Sequence, residues 1–208
     1  VDMCHYIIVV NCLIRQNKGI NAGALFSTVF KKITMIGSYL FFNTALLLGG
    51  AILLSDPGNL PTASIFIYKS QFIENMAGKE GAALTIKTVK YVYIRQIQIK
   101  PKITKRMLSS IILIHGVKLD LIEIIIQNFE QKTVLADLSF SIAKLRTVIF
   151  PCYSYSYPHE DVRFTSSKIS LHIWYECRKC NPGQYIVHSG PWTVNKDISN
   201  VLPNTALY

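Results

Sequence analysis

Acidic side chains are scarce in this chain. Only 12 Asp and Glu stand against 22 Lys and Arg in 208 residues, and charged residues make up just 16% of the total. No pair of carboxylates lies at a spacing that marks general acid–base work, which weighs against a carbohydrate-cleaving enzyme built on clustered Asp. A Gly-x-Ser-x-Gly elbow, a Walker loop and a dinucleotide fingerprint are all missing. The five histidines (His5, His115, His159, His172, His188) are dispersed, and His159-Glu160-Asp161 follows Pro158 as an exposed turn would. We therefore expect no catalytic activity, no cofactor and no metal. The sequence opens at Val1 without a charged-then-apolar leader, and its cysteines number five, an odd count. These features lead us to expect a piece of a longer chain.

What is present is apolar. Hydrophobic residues are 50% of the chain and aromatics 11%. Mean hydropathy is +0.29. A chain of this length and composition can bury a substantial core and does not read as disordered. The net charge of +10 is spread thinly. Its densest stretch, Lys100, Lys102, Lys105 and Arg106, lacks the interleaved aromatics of a nucleic-acid platform and reads as a solvated turn, so no nucleic-acid partner is expected.

The informative signal is internal repetition. Residues 33–52 align without a gap on residues 65–84 at an offset of 32. Identities fall at Ile33/Ile65, Ser38/Ser70, Asn43/Asn75, Ala45/Ala77, Gly49/Gly81 and Ala51/Ala83. Upstream, at an offset of 26, Ile7, Val9, Cys12, Ile14 and Asn17 match Ile33, Met35, Ser38, Leu40 and Asn43. Downstream, Val92, Ile94, Ile97 and Ile99 form a weaker copy with Lys102 in the Asn position.

Physical chemistry reads each copy as one coil. Ile-x-Ile alternation places every second side chain on one face of a strand. The small Ser or Cys permits a bend. The apolar-x-x-Asn element is a second short strand entering a turn, where Asn tolerates a left-handed backbone. Stacked copies would let equivalent Asn amides bond in a ladder. Gly49-Gly50-Ala51-Ile52 supplies a close-packed corner and starts a third strand. One coil cannot bury its own apolar face, but stacked coils can, each about 4.8 Å above the last. The expected fold is an all-β, right-handed parallel β-helix over residues 1–150, with clear repeats at about 7–100 and degenerate coils or a cap at 101–150. Pro151 and Cys152 open a different texture, and 151–208 is expected to be a small irregular Cys-containing segment.

The ordered pair Phe72-x-x-Asn75 and Gly81-Ala82-Ala83-Leu84 resembles the repeat of polymorphic outer-membrane proteins, whose marks are Phe-x-x-Asn and Gly-Gly-Ala-Ile. The copy at Gly49-Gly50-Ala51-Ile52 carries the second mark intact, with Leu40 in place of its Phe. Similar repeats occur in large ciliate surface proteins. The resemblance implies an exported, surface-displayed β-helix used for adhesion or surface coverage. Its partners would be a surface ligand or neighbouring domains of a longer chain, with membrane attachment through other parts of that chain.

Cys177-x-x-Cys180-x-Pro182-Gly183-x-Tyr185 has three readings. A zinc site would need two more ligands, and His172 and His188 flank it at an unusual spacing. A redox pair would need a strand-to-helix setting. The favoured reading is a resemblance to the Cys-rich modules of ephrin-receptor and TNF-receptor type, which implies a disulfide among Cys152, Cys177 and Cys180. One structural alternative remains for the repeat region. Residues 35–54 are uncharged and long enough to span a bilayer, with Lys31 and Lys32 before them. Against this, Asn43 would sit near the centre of the span, and the partner copy at 65–84 carries Lys69, Glu74, Lys79 and Glu80.

Overall fold

The computed structural model describes residues 5–56, 63–100, 102, 110–126, 134–150, 156–164, 171–179 and 192–198. Among these residues there is no helix. The backbone winds as a parallel β-solenoid whose strands fall into two sheets, one of 15 strands and one of three.

The first coil contains β1 (Tyr6–Val10), β2 (Leu13–Arg15), β3 (Lys18–Gly19) and β4 (Leu25–Thr28). The second contains β5 (Lys32–Ile36), β6 (Tyr39–Phe41), β7 (Thr44–Ala45) and β8 (Ile52–Ser55). The third begins with β9 (Ser64–Tyr68), β10 (Gln71–Ile73) and β11 (Met76–Ala77), then enters the long strand β12 (Leu84–Lys100). Residues 84–87 of β12 close the third coil by pairing with β8, while residues 91–95 open the fourth by pairing with β9. β13 (Ile112–Ile126) repeats this arrangement one level on, and β14 (Val134–Phe140) and β15 (Ile142–Phe150) continue it in parallel register. Successive rungs bring Ile7, Ile33, Ile65, Val92, Leu119 and Ala143 over one another.

The period-2 pattern explains the interior. Ile33, Met35, Ile65, Ile67, Val92, Ile94, Leu119 and Leu121 point inward and are buried, as are Leu40, Phe72 and Ile99 on the second face and Ile52, Leu84 and Ile112 on the third. Each side chain packs above its like in the next rung, so the core is a set of aliphatic columns. The solenoid therefore continues through 101–150 wherever that stretch is described, because Leu119, Leu121, Ile124, Leu138 and Leu145 maintain the inward pattern after the Asn and Gly marks have stopped.

The described corners after the first and second faces are each made by a single left-handed residue. After the first face these are Asn11, Gly37, Lys69, Gln96, Glu123 and Thr147, with φ between 48° and 58°. After the second face they are Gln16, Phe42 and Glu74. This corrects the expected role of Asn. The left-handed residue is the one before it, and Asn itself turns its amide inward. Ser38 and Ser70 follow the first corner and cap it. Each hydroxyl donates to the carbonyl two residues back, at 3.1 Å and 3.0 Å, and each accepts an N–H from the preceding rung. Cys12 fills the same position in the first coil, its thiol 3.3 Å from the Val10 carbonyl.

Residues 35–54 are not a membrane helix. They are the end of β5, then β6, β7 and β8 with the turns between. The stretch lacks charge because Leu40, Ala45, Ala51, Ile52, Leu53 and Leu54 are buried between rungs. No helix of the described residues is long and apolar enough to cross a membrane. Leu47 is half-buried, and its carbonyl accepts the N–H of Lys79, the residue aligned with it in the next rung. Leu47→Lys thus installs a side chain that this column already carries. We expect stability to change by less than about 0.5 kcal/mol in a denaturant titration.

The C-terminal segment is not irregular where it is described. β16 (Ser156–Phe164), β17 (Leu171–Lys179) and β18 (Trp192–Ile198) are strands. β17 pairs antiparallel with β14, β16 with β17, and β18 with β15. Alternating Ile173 and Tyr175 are buried against the last rungs. The change in texture after residue 150 marks a change from parallel to antiparallel pairing.

Candidate functional site

The residues singled out by the repeat meet on one side of the solenoid. Asn17, Asn43 and Asn75 stand on successive rungs and form a side-chain ladder. The Asn17 amide donates to Asn43 Oδ1 at 3.0 Å, and the Asn43 amide donates to Asn75 Oδ1 at 2.9 Å. The backbone N–H groups of Asn17 and Asn43 donate to the same two oxygens, at 3.1 Å and 3.0 Å. Asn43 Nδ2 also reaches the Ile14 carbonyl, and Asn75 Nδ2 reaches the Leu40 carbonyl at 2.7 Å. Asn43 and Asn75 are wholly buried. At Lys102 the ladder gives way to a backbone contact, the Lys102 N–H donating to the Asn75 carbonyl at 3.2 Å.

The glycines sit beside this ladder. Gly49 and Gly81 are left-handed, with φ of 56° and 64°. Gly50 is needed for close approach: a Cβ there would lie 1.9 Å from the Ala82 carbonyl oxygen and 2.6 Å from the Met76 backbone. Because backbone cannot swing aside, Gly50→Ala should cost about 1–3 kcal/mol. The expected readout is a lower urea midpoint with an unchanged slope. Phe72 lies wholly inside, between Leu40 and Ile99 in its column. All these polar and small groups are used in holding rungs together.

Chemistry that faces outward lies on the first face. Its outward-facing side chains, some exposed and some half-buried, form three columns. One contains Tyr6, Lys32, Ser64, Tyr91 and Lys118; the next contains Ile8, Thr34, Phe66, Tyr93, Asp120 and Lys144; the third contains Val10, Ile36, Tyr68, Arg95, Ile122 and Arg146. Parallel in-register stacking aligns these columns at the rung spacing. Phe66 and Tyr93 stack with ring centroids 4.3 Å apart, while Lys69 lies over Tyr68 and Lys90 over Tyr91. The Arg95 guanidinium is held above its ordinary value, first by a hydrogen bond with Tyr93 and then by Glu123, 3.8 Å away.

Beside this face, the stacked corner residues Lys69, Gln96 and Glu123 border an open groove of about 440 Å³, floored by Gln71, Ile97 and Gln98. Gln96 Oε1 is buried there without a hydrogen-bond partner. Alternation alone could have identified the outward columns, but the groove needed the left-handed corners, whose residue types differ from rung to rung.

The remaining candidates do not converge. Cys177 lies in β17, its backbone opposite Pro158, while Cys152 and Cys180 lie outside the described residues. Cys12 is a free thiol. His115 stands 3.6 Å from Asp137, and His159 lies in β16. His159-Glu160-Asp161 is thus strand and not turn, with Glu160 contacting Lys196 and Asp161 paired to Arg163 at 2.9 Å. Among the described residues no three His, Cys, Asp or Glu are placed to hold a metal. Comparison with known proteins returned no matching family model, no matching curated protein and no matching solved structure.

Proposed function

We propose that this chain is a stretch of a structural or adhesive cell-surface protein, that it has no catalytic activity, and that the outward columns of the first face are its contact surface. One observation carries this reading. Buried polar side chains such as Asn43, Asn75, Ser38 and Ser70 are used up between rungs, whereas aromatic and cationic side chains recur outward at rung spacing. A regular array of this kind offers many weak contacts along one direction, which suits attachment more than turnover. The repeat's resemblance to polymorphic outer-membrane and ciliate surface proteins supports the same reading. So does the resemblance of Cys177 to Tyr185 to extracellular Cys-rich modules. The ligand would be a surface molecule or a neighbouring domain of a longer chain.

The test uses antibodies raised against the folded chain on intact and permeabilised source cells. Staining of intact cells, with the purified chain binding their surface and losing that binding in the Tyr93→Ala/Lys118→Ala variant, is the expected result. Staining that needs permeabilisation would overturn the proposal.

A further inference from the structure

The first coil differs from the second in one respect. Its inward residues Ile7, Val9, Ile14 and Leu25 are only partly buried, although their equivalents Ile33, Met35, Leu40 and Ile52 are at most 1% exposed. The residue types match, so the difference comes from what lies beneath. The second coil rests on the first, and the first rests on nothing among the described residues.

The polar groups tell the same story. In the ladder, each Asn oxygen accepts both the backbone N–H and the amide of the Asn one rung earlier. Asn17 Oδ1 holds that accepting position for a rung below. The Cys12 sulfur is placed likewise, since Ser38 and Ser70 each accept an N–H from the preceding rung.

We infer that the underside of the first coil is a docking surface for one further β-helix rung of the same kind, in parallel register and carrying an Asn that donates to Asn17 Oδ1. The occupant is argued by continuity. The undersides of the second and third coils have the same columns and the same acceptors, and each is covered by such a rung. An open parallel edge is also a pairing hazard that a matching rung removes. This inference does not rest on the adhesive reading.

The experiment repeats residues 5–30 in tandem directly ahead of residue 5 in the full chain, keeping the natural 26-residue offset between the first two rungs. Hydrogen exchange is then read at residues 6–15 of the original copy. We expect exchange there to slow at least about tenfold in a protein that stays monomeric. Asn17→Leu in the added copy alone should abolish most of that slowing. Unchanged exchange in the original copy, or slowing indifferent to that Asn, would overturn the inference. So would a dimer of the unaltered chain, by sedimentation, with these amides already protected: the occupant would then be a second copy.

Discussion

Asn75→Ala should lower stability by about 3–5 kcal/mol, since each buried polar group left without a partner costs about 1–3 kcal/mol. Three hydrogen bonds are lost together, and the Asn43 amide keeps only its bond to the Ile14 carbonyl. The Asn43 N–H and the Asn43 amide both donate to Asn75 Oδ1, and the Leu40 carbonyl accepts from Asn75 Nδ2. Both asparagines are fully buried, so water cannot replace the lost bonds without opening the coil. Asn17→Ala is the internal control. Asn17 is exposed at the end of the ladder, and Asn43 Oδ1 keeps the Asn17 backbone N–H. That variant should lose only about 1 kcal/mol. Thermal and urea unfolding of the two variants measures the contrast; equal losses would mean that the ladder contributes little. A solenoid's stability is close to a sum over neighbouring rungs. Hydrogen exchange in Asn75→Ala should accordingly rise first in the coils before residue 77, while β13 remains protected.

Phe72→Ala should cost a similar amount, about 3–5 kcal/mol. The ring is fully buried in a column with Leu40 on one side and Ile99 on the other, both themselves wholly buried. Backbone hydrogen bonds on both flanks of β10 limit how far the rungs can collapse into the void. Phe72→Leu should be far milder, about 1 kcal/mol, because Leu already serves this column one rung earlier. Chemical denaturation of the pair tests the column: a loss near zero for Phe72→Ala would place the ring at a surface.

Most of the coil architecture was legible in the sequence, for a physical reason. Parallel in-register stacking puts equivalent residues in contact, so the aliphatic columns and the Asn ladder impose the same side chain at the same offset. Ile33 over Ile65 and Asn43 over Asn75 therefore show up as identities when the chain is aligned on itself. The corners were not legible. Lys69, Gln96, Glu123 and Thr147 share a backbone conformation but no chemistry, because a left-handed corner held by strands on both sides accepts many side chains at a modest cost. The groove built from three of them was hidden for the same reason. Coils beyond residue 100 faded because they keep only the inward alternation, as in Leu119 and Leu121, and alternation alone does not specify a partner strand. The antiparallel strands β16 to β18 carry no repeat at all, and β16 opens on Ser156, Tyr157 and Pro158, which read as a turn.

The uncharged stretch 35–54 shows how burial between rungs can imitate a membrane segment. Its hydrophobicity serves stacking on two sides, with coils above and below supplying the hydrogen bonds that a helix would make within itself. The aligned stretch 65–84 tolerates charge because Lys69, Glu74 and Lys79 stand at corners and turns.

The central claim is that successive repeats stack in parallel with a fixed register, and engineered cross-linking tests it most directly. Thr34 on β5 lies directly opposite Phe66 on β9, both pointing outward. Strands in register place such residues about 4.8 Å apart, within the Cα separation a disulfide spans. In chains otherwise freed of cysteine, the Thr34→Cys/Phe66→Cys pair should close within the monomer under mild oxidation. The pair shifted by two residues, Thr34→Cys/Tyr68→Cys, should stay largely reduced. Preferential closure of the shifted pair, or closure of neither in a chain that keeps its strand spectrum, would contradict the stacked-coil account.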